Sequence, residues 1–133
     1  MKIVRLKMVA FALFMAASFV ACSEDDGVLL DITKKTVVTN VAGDTTGEVD
    51  KEIPLDITFI IDNNCGTFSK LIKETTDKTT IIEVEAKYLG TNCGSTPSTK
   101  RVIYKFKAPT IGTYTLKFKK SATEFITHII EIS

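Results

Sequence analysis

The chain has 133 residues, 44% of them hydrophobic and 25% charged, with 17 basic residues against 16 acidic ones. That length bounds one domain, and the balanced charge, with no basic stripe, argues against a nucleic-acid partner. One histidine and three cysteines do not compose a recognisable metal-ligand set. No glycine-rich phosphate loop occurs either, so no cofactor is expected.

The first 26 residues set the context. Lys2, Arg5 and Lys7 precede fourteen residues of almost no polar character, Met8 to Ala21, and then Cys22. A positive start, a short apolar run and small residues before a cut describe a secretory signal peptide over residues 1–21. Fourteen residues at about 1.5 Å each cover about 21 Å of a roughly 30 Å bilayer core, which disfavours an uncleaved anchor. Phe19-Val20-Ala21-Cys22 resembles a lipobox, with Phe19 where Leu is usual, as in the looser form of Bacteroidetes lipoproteins. That resemblance implies a lipidated Cys22 at the mature N-terminus. The alternative is an ordinary signal peptide cut after Ala-x-Phe or Val-x-Cys. Ser23-Glu24-Asp25-Asp26 resembles the tag that sends some of these lipoproteins to the outer face of the outer membrane. Read without the resemblance, residues 22–27 are a solvated acidic tether. Cleavage leaves 112 residues with 14 basic against 16 acidic, a net charge of −2.

Residues 28–133 form the expected body. Val28–Ile32 and Thr36–Thr39 read as a first strand interrupted at Lys34-Lys35, or as an edge strand and its continuation, and Ala42–Glu48 as a loop. Ile53–Ile61 alternates strictly, every odd position apolar with Asp56 and Thr58 opposite, and Pro54 suits a strand start. Asp62–Gly66 is turn chemistry, Phe68–Lys73 a shorter strand, and Asp77-Lys78 another turn. Thr79–Leu89 turns Ile82, Val84, Ala86 and Tyr88 inward and Glu83, Glu85 and Lys87 outward. After the polar loop Gly90–Thr99 come strands over Arg101–Lys107, Thr113–Lys119 and Glu124–Ile132. No stretch carries a helical apolar period.

This pattern predicts an all-β fold, a single antiparallel β-sandwich of about seven strands. Pro109-Thr110-Ile111-Gly112-Thr113-Tyr114 resembles the tyrosine corner of immunoglobulin-like and fibronectin-like domains. The likeness implies that the Tyr114 phenol bonds backbone a few residues upstream; an ordinary inward aromatic is the alternative. The tryptophan of antibody domains is missing, and Cys65 and Cys93 do not occupy the antibody bridge positions.

With Cys22 committed to lipid, Cys65 and Cys93 remain as a pair for an exported protein. Bridged, they would stabilise the fold by roughly 3–4 kcal/mol; two buried free thiols are the alternative.

The search for chemistry yields little. His128 is expected to be a strand residue with an ordinary hydrogen bond, since no Gly-x-Ser-x-Gly elbow presents a serine to it. Glu83 and Glu85 share a face about 7 Å apart, which Glu/Lys alternation on a solvated surface explains. Asp62-Asn63-Asn64 lacks the glycine and glutamate of a calcium loop and reads as a turn. Asp44-Thr45-Thr46 resembles the Bacteroidetes O-glycosylation signal, with Thr45 as acceptor.

The expectation is therefore a non-catalytic envelope lipoprotein, a surface binding or accessory module for an envelope or extracellular protein. It would sit on the outer membrane through its lipid, facing the cell surface or, alternatively, the periplasm. A structural subunit using Ile81 or Ile103, or a glycan-binding module, are the alternatives; the inward aromatics rank a glycan below a protein. The candidate binding loops are those the bridge would tie together, with Asp62, Asn63, Asn64, Asn92 and Lys100.

Overall fold

The computed structural model describes residues 29–133, so the signal peptide, Cys22, the Ser23–Asp26 tag and the tether expected at the N-terminus lie outside the described residues. Among the described residues there are nine strands: β1 (Leu30–Thr36), β2 (Val38–Gly43), β3 (Thr46–Gly47), β4 (Ile53–Ile61), β5 (Gly66–Thr76), β6 (Thr79–Gly90), β7 (Ser98–Phe106), β8 (Gly112–Lys119) and β9 (Phe125–Ile132). They form two sheets, one of three strands in the order β2-β4-β7 and one of six built around β6. All described secondary structure is β, as the alternating patterns predict.

Alternation decides what each strand buries. Ile53, Leu55, Ile57, Phe59 and Ile61 of β4 are buried against Ile82, Val84, Ala86 and Tyr88 of β6. Tyr114, Leu116 and Phe118 of β8, with Ile130 and Ile132 of β9, extend the same layer. A Cβ points to opposite faces at successive strand residues, so each run supplies one apolar face and one polar face.

The larger sheet departs from the expected antiparallel arrangement. One edge of β6 pairs antiparallel with β5 along its length. The other edge is shared: Val84–Gly90 pairs antiparallel with β1, whereas Thr79–Ile82 pairs in parallel with Thr115–Phe118 of β8. The parallel pairing follows from the route of the chain. Between β6 and β8 it crosses into the smaller sheet as β7, which pairs antiparallel with β4, and two reversals restore the original direction. A second parallel contact joins β3 to β9 at Thr46↔Glu131 and Gly47↔Ile132.

Glu83 stands at the junction where β1 ends and β8 ends along β6. Its carboxylate lies 3.3 Å from Lys35 Nζ of β1 and 3.9 Å from Lys119 Nζ of β8. One anion thus meets a cation from each of the two strands that compete for this edge.

Local differences from the sequence reading have local causes. β1 runs through Lys34-Lys35 and breaks instead at Val37. There the chain changes sheets: the Ile60 N–H of β4 donates to the Val37 carbonyl at 3.0 Å, and the Thr36 hydroxyl donates to the Ile60 carbonyl. Within Ala42–Glu48, expected as a loop, two residues form β3, and the neighbouring Thr45 carbonyl accepts the Glu131 N–H at 2.8 Å. β5 reaches Thr76, three residues past the expected strand, because its polar end pairs with β6 down to Thr76↔Thr79. β7 starts at Ser98, inside the expected loop, because Ser98–Lys100 pairs with Phe59–Ile61.

The core and the surface separate cleanly in a mutational test. Leu55→Ala, at a fully buried position, is expected to cost about 2–5 kcal/mol in urea unfolding. Ile103→Ala, at a position 53% exposed, is expected to stay within about 0.5 kcal/mol.

Candidate functional site

The body has two differently built ends. At one end Cys65, just before β5, is bonded to Cys93 in the loop after β6, with their Cα atoms 5.1 Å apart. Gly90 makes that approach possible: a Cβ there would lie 2.9 Å from the Cys65 sulfur, and its φ of +142° disfavours other residues. The Asn64 N–H donates to the Cys93 carbonyl at 3.0 Å, so backbone as well as sulfur joins the two loops.

The residues expected to form a binding surface here are mostly engaged in holding that end. Asn63 Oδ1 accepts the Cys65 N–H at 2.9 Å, closing an Asx turn. Asp62 pairs with Lys34, and its N–H donates to the Tyr88 phenol oxygen at 3.0 Å. The hydrogen bond that the Lys34 ammonium donates to Asp62 raises its pKa above the ordinary 10.5 against an opposing desolvation. Asn92 takes a left-handed conformation with φ of 55°, which asparagine tolerates better than most residues. Lys100 lies within β7 opposite Phe59 rather than in the loop, and is exposed. Thr45, away from the bridged loops, is exposed as a modification site requires.

The residues weighed for catalysis have structural neighbours. His128 Nε2 lies 3.0 Å from the Asp44 carbonyl oxygen. Glu85 accepts the Ser69 hydroxyl at 2.9 Å, and Glu83 sits between its two lysines.

The opposite end holds a cleft of about 550 Å³ that sequence reasoning missed. It opens between the β5–β6 hairpin tip (Asp77, Lys78) and the β7–β8 connection (Lys107, Pro109, Thr110), with Tyr104, Phe106 and Tyr114 inside. The three rings meet edge-on, Tyr104 to Phe106 at 6.4 Å and Phe106 to Tyr114 at 5.5 Å between centroids. Lys73 Nζ stands 5.1 Å from the centre of the Tyr104 ring, and Lys78 Nζ 6.0 Å from that of Tyr114.

Both walls are fixed. The Tyr114 phenol donates to the Thr110 carbonyl at 2.9 Å, four residues upstream, and meets the Thr110 hydroxyl at 2.9 Å. This is the corner bond implied by the sequence resemblance. On the other wall, the Thr115 N–H donates to the Lys78 carbonyl at 2.9 Å, pinning the hairpin tip to β8. The only sequence signals of this cleft were the tyrosine corner, read as a fold cue, and Asp77-Lys78, read as a turn.

Burial raises the Tyr104 phenol above its ordinary value of 10.0, so it stays neutral as a donor at physiological pH. A pKa raised by folding gives stability that is present below the unfolded value and lost as pH rises through the folded one. Lys34 and Tyr104 act in the same direction, so the urea midpoint is expected to fall above about pH 10. Tyr104→Phe should flatten that decline, and a midpoint series across this alkaline range in both proteins measures it. Replacing both Cys65 and Cys93 by alanine should cost about 3–4 kcal/mol at neutral pH, read by the same unfolding experiment.

Comparison with protein-family models, with curated proteins and with solved structures gives no match. Function therefore has to be argued from what these side chains can do.

Proposed function

We propose that this chain is a non-catalytic, lipid-anchored cell-envelope protein of the Bacteroidetes type, a binding or accessory module that meets a protein partner. The observation that carries the reading is Cys22 behind its apolar run, with Ser23-Glu24-Asp25-Asp26 directly after it. More than one acyl chain on that cysteine would give stable anchoring, at about 0.8 kcal/mol per buried CH₂. The Cys65–Cys93 bridge is in keeping with export into an oxidising compartment. The non-catalytic part is supported by the engagement of His128, Glu83 and Glu85 with backbone, lysines and a serine.

The immunoglobulin-like assignment of the body belongs to the same proposal. It is supported by two facing sheets and by the Tyr114 corner. The shared edge of β6 and its parallel pairing with β8 would make this a variant of that architecture.

The topology bears on how such an anchor would orient the body. Leu30 pairs with Gly90, so the chain enters the body at the disulfide end. Six residues, 23–28, link Cys22 to Leu29, and a fully extended chain from Cys22 to Leu29 reaches at most about 25 Å. A lipid on Cys22 would therefore hold the bridged loops near the bilayer and leave the aromatic cleft facing away from it. Loops close to the anchor would suit a partner that is itself in the envelope.

Fractionation and surface accessibility test the reading. Cys22→Ala is expected to move the protein from the membrane to the soluble fraction; a variant that stays in the membrane would refute lipid anchoring. On intact cells, the native protein should be cleaved by added protease. Replacing Glu24, Asp25 and Asp26 by alanine should protect it until the outer membrane is broken, and equal protection of both proteins would mean the acidic residues are a tether only.

A further inference from the structure

We infer that the aromatic cleft remote from the disulfide binds an acidic saccharide, its ring seated on Tyr104 and its carboxylate taken by Lys78 and the neighbouring lysines. This goes beyond the protein-partner reading, concerns the opposite end of the body, and needs no membrane for its test.

Charge is the first argument. Lys78 and Lys107 line the cleft and Lys73 stands beside it over the Tyr104 ring, with Asp77 the one acidic residue among the lining residues. Ion pairs within 4.0 Å engage Lys34, Lys35, Lys105, Lys119 and Arg101, but among the described residues none of the three cleft lysines has a carboxylate at that distance. Two of them rest instead over tyrosine rings. Cations gathered at one mouth repel one another, and a bound anion relieves that repulsion. In a concave site with apolar walls the attraction is stronger than on an open surface.

The lining chooses the kind of anion. Carbohydrates present an apolar C–H face and a ring of hydroxyls, and aromatic side chains beside small polar groups answer both. Tyr104 is half-buried, with one part packed and one part open. The hydroxyls of Thr75, Thr80 and Thr110 stand around the rings; Thr75 and Thr80 lie 3.0 Å from each other, and Thr110 lies 2.9 Å from the Tyr114 phenol. A simple anion patch would not need the rings, and a greasy ligand would not need the lysines and threonines.

Size and rigidity agree. A volume of about 550 Å³ falls in the small-ligand range of roughly 300–1,000 Å³, enough for a short run of sugar rings and too little for a protein surface. The pinned hairpin tip and the Tyr114 corner hold both walls before any ligand arrives, which lowers the ordering cost of binding.

The test is titration of the full chain in detergent with a short oligogalacturonate, a glucuronate-containing oligosaccharide, and the methyl-esterified oligogalacturonate, followed by calorimetry and amide chemical-shift mapping. At least one acidic probe should bind saturably, with shifts confined to residues 75–80, Tyr104 and residues 107–114. The ester, alike in shape but uncharged, should bind about tenfold more weakly or worse, as should Lys78→Met with the acidic probe. Tyr104→Ala should abolish binding while the unfolding transition remains cooperative, and Lys100→Met, outside the cleft, should change nothing. Absence of saturable binding by both acidic probes would overturn the proposal. So would equal binding of acid and ester, shifts mapping to the disulfide loops, or sulfate or benzoate competing as well as the sugars. Loss of surface exposure in the tag variant would leave this result untouched, so the two readings fail separately.

Discussion

A three-stranded sheet has to cover the inner face of a six-stranded one, and it cannot do so completely. β4 is the middle of the smaller sheet and is buried along its whole inner side, from Ile53 to Ile61. Cover thins toward both ends of the larger sheet. Ile32, which shares the inner face with its partner Tyr88, remains 47% exposed. Hydrophobic burial is the dominant stabilising term, so each end needs another device where cover is missing. At one end it is a disulfide with the Lys34–Asp62 pair folded over Tyr88. At the other it is a knot of three aromatic rings with lysines lying on them. The first device closes its end; the second leaves a cleft.

The shared edge of β6 is the other consequence of this layout. A strand of twelve residues offers more hydrogen-bonding length than β1 or β8 alone can use. Both bind to it end to end, one antiparallel and one parallel. Where they meet, neither pairs its backbone with Glu83, whose carboxylate draws in Lys35 from β1 and Lys119 from β8 instead. Exposed ion pairs contribute little. Glu83, though, is only 16% exposed, and its charge must be met by neighbours to be tolerated there. A residue that reads in the sequence as half of an ordinary Glu/Lys alternation is thus the stitch between two strands.

How much of this the sequence discloses depends on what period-two patterning encodes. It encodes face, and the inward residues of β4, β6 and β8 are the ones their alternation indicates. It does not encode partner or direction, so the parallel β6–β8 pairing was illegible; it depends on β7 crossing into the other sheet, a long-range fact. Nor does it encode depth. Tyr104 and Tyr88 follow the same inward rule, yet Tyr88 is fully buried and Tyr104 half-open, because the Lys34–Asp62 pair closes over Tyr88 just past the end of β4 whereas Tyr104 opens into the cleft. The disulfide was legible because cysteine chemistry leaves few choices once Cys22 is set aside. The break at Val37 was not, since Lys34 and Lys35 look like punctuation but are held by Asp62, just past β4, and by Glu83 of β6.

The two ends also differ in how free their side chains are. At the bridged end the polar residues that looked available are committed: Asn63 to a turn, Asp62 to Lys34 and Tyr88, and the Asn64 N–H to Cys93. Recruiting them to a ligand would first break bonds that hold the loops, and buried or half-buried donors left without partners cost about 1–3 kcal/mol each. At the cleft, among the described residues, the lysines have no carboxylate within 4.0 Å to leave, and the contacts of Lys73 and Lys78 with the rings are weak. An incoming anion displaces little there and gains cations already in place. A rigid wall with uncommitted charge is what a recognition surface requires, and in this fold that condition is met at the end that an anchor at the chain's entry point would turn outward.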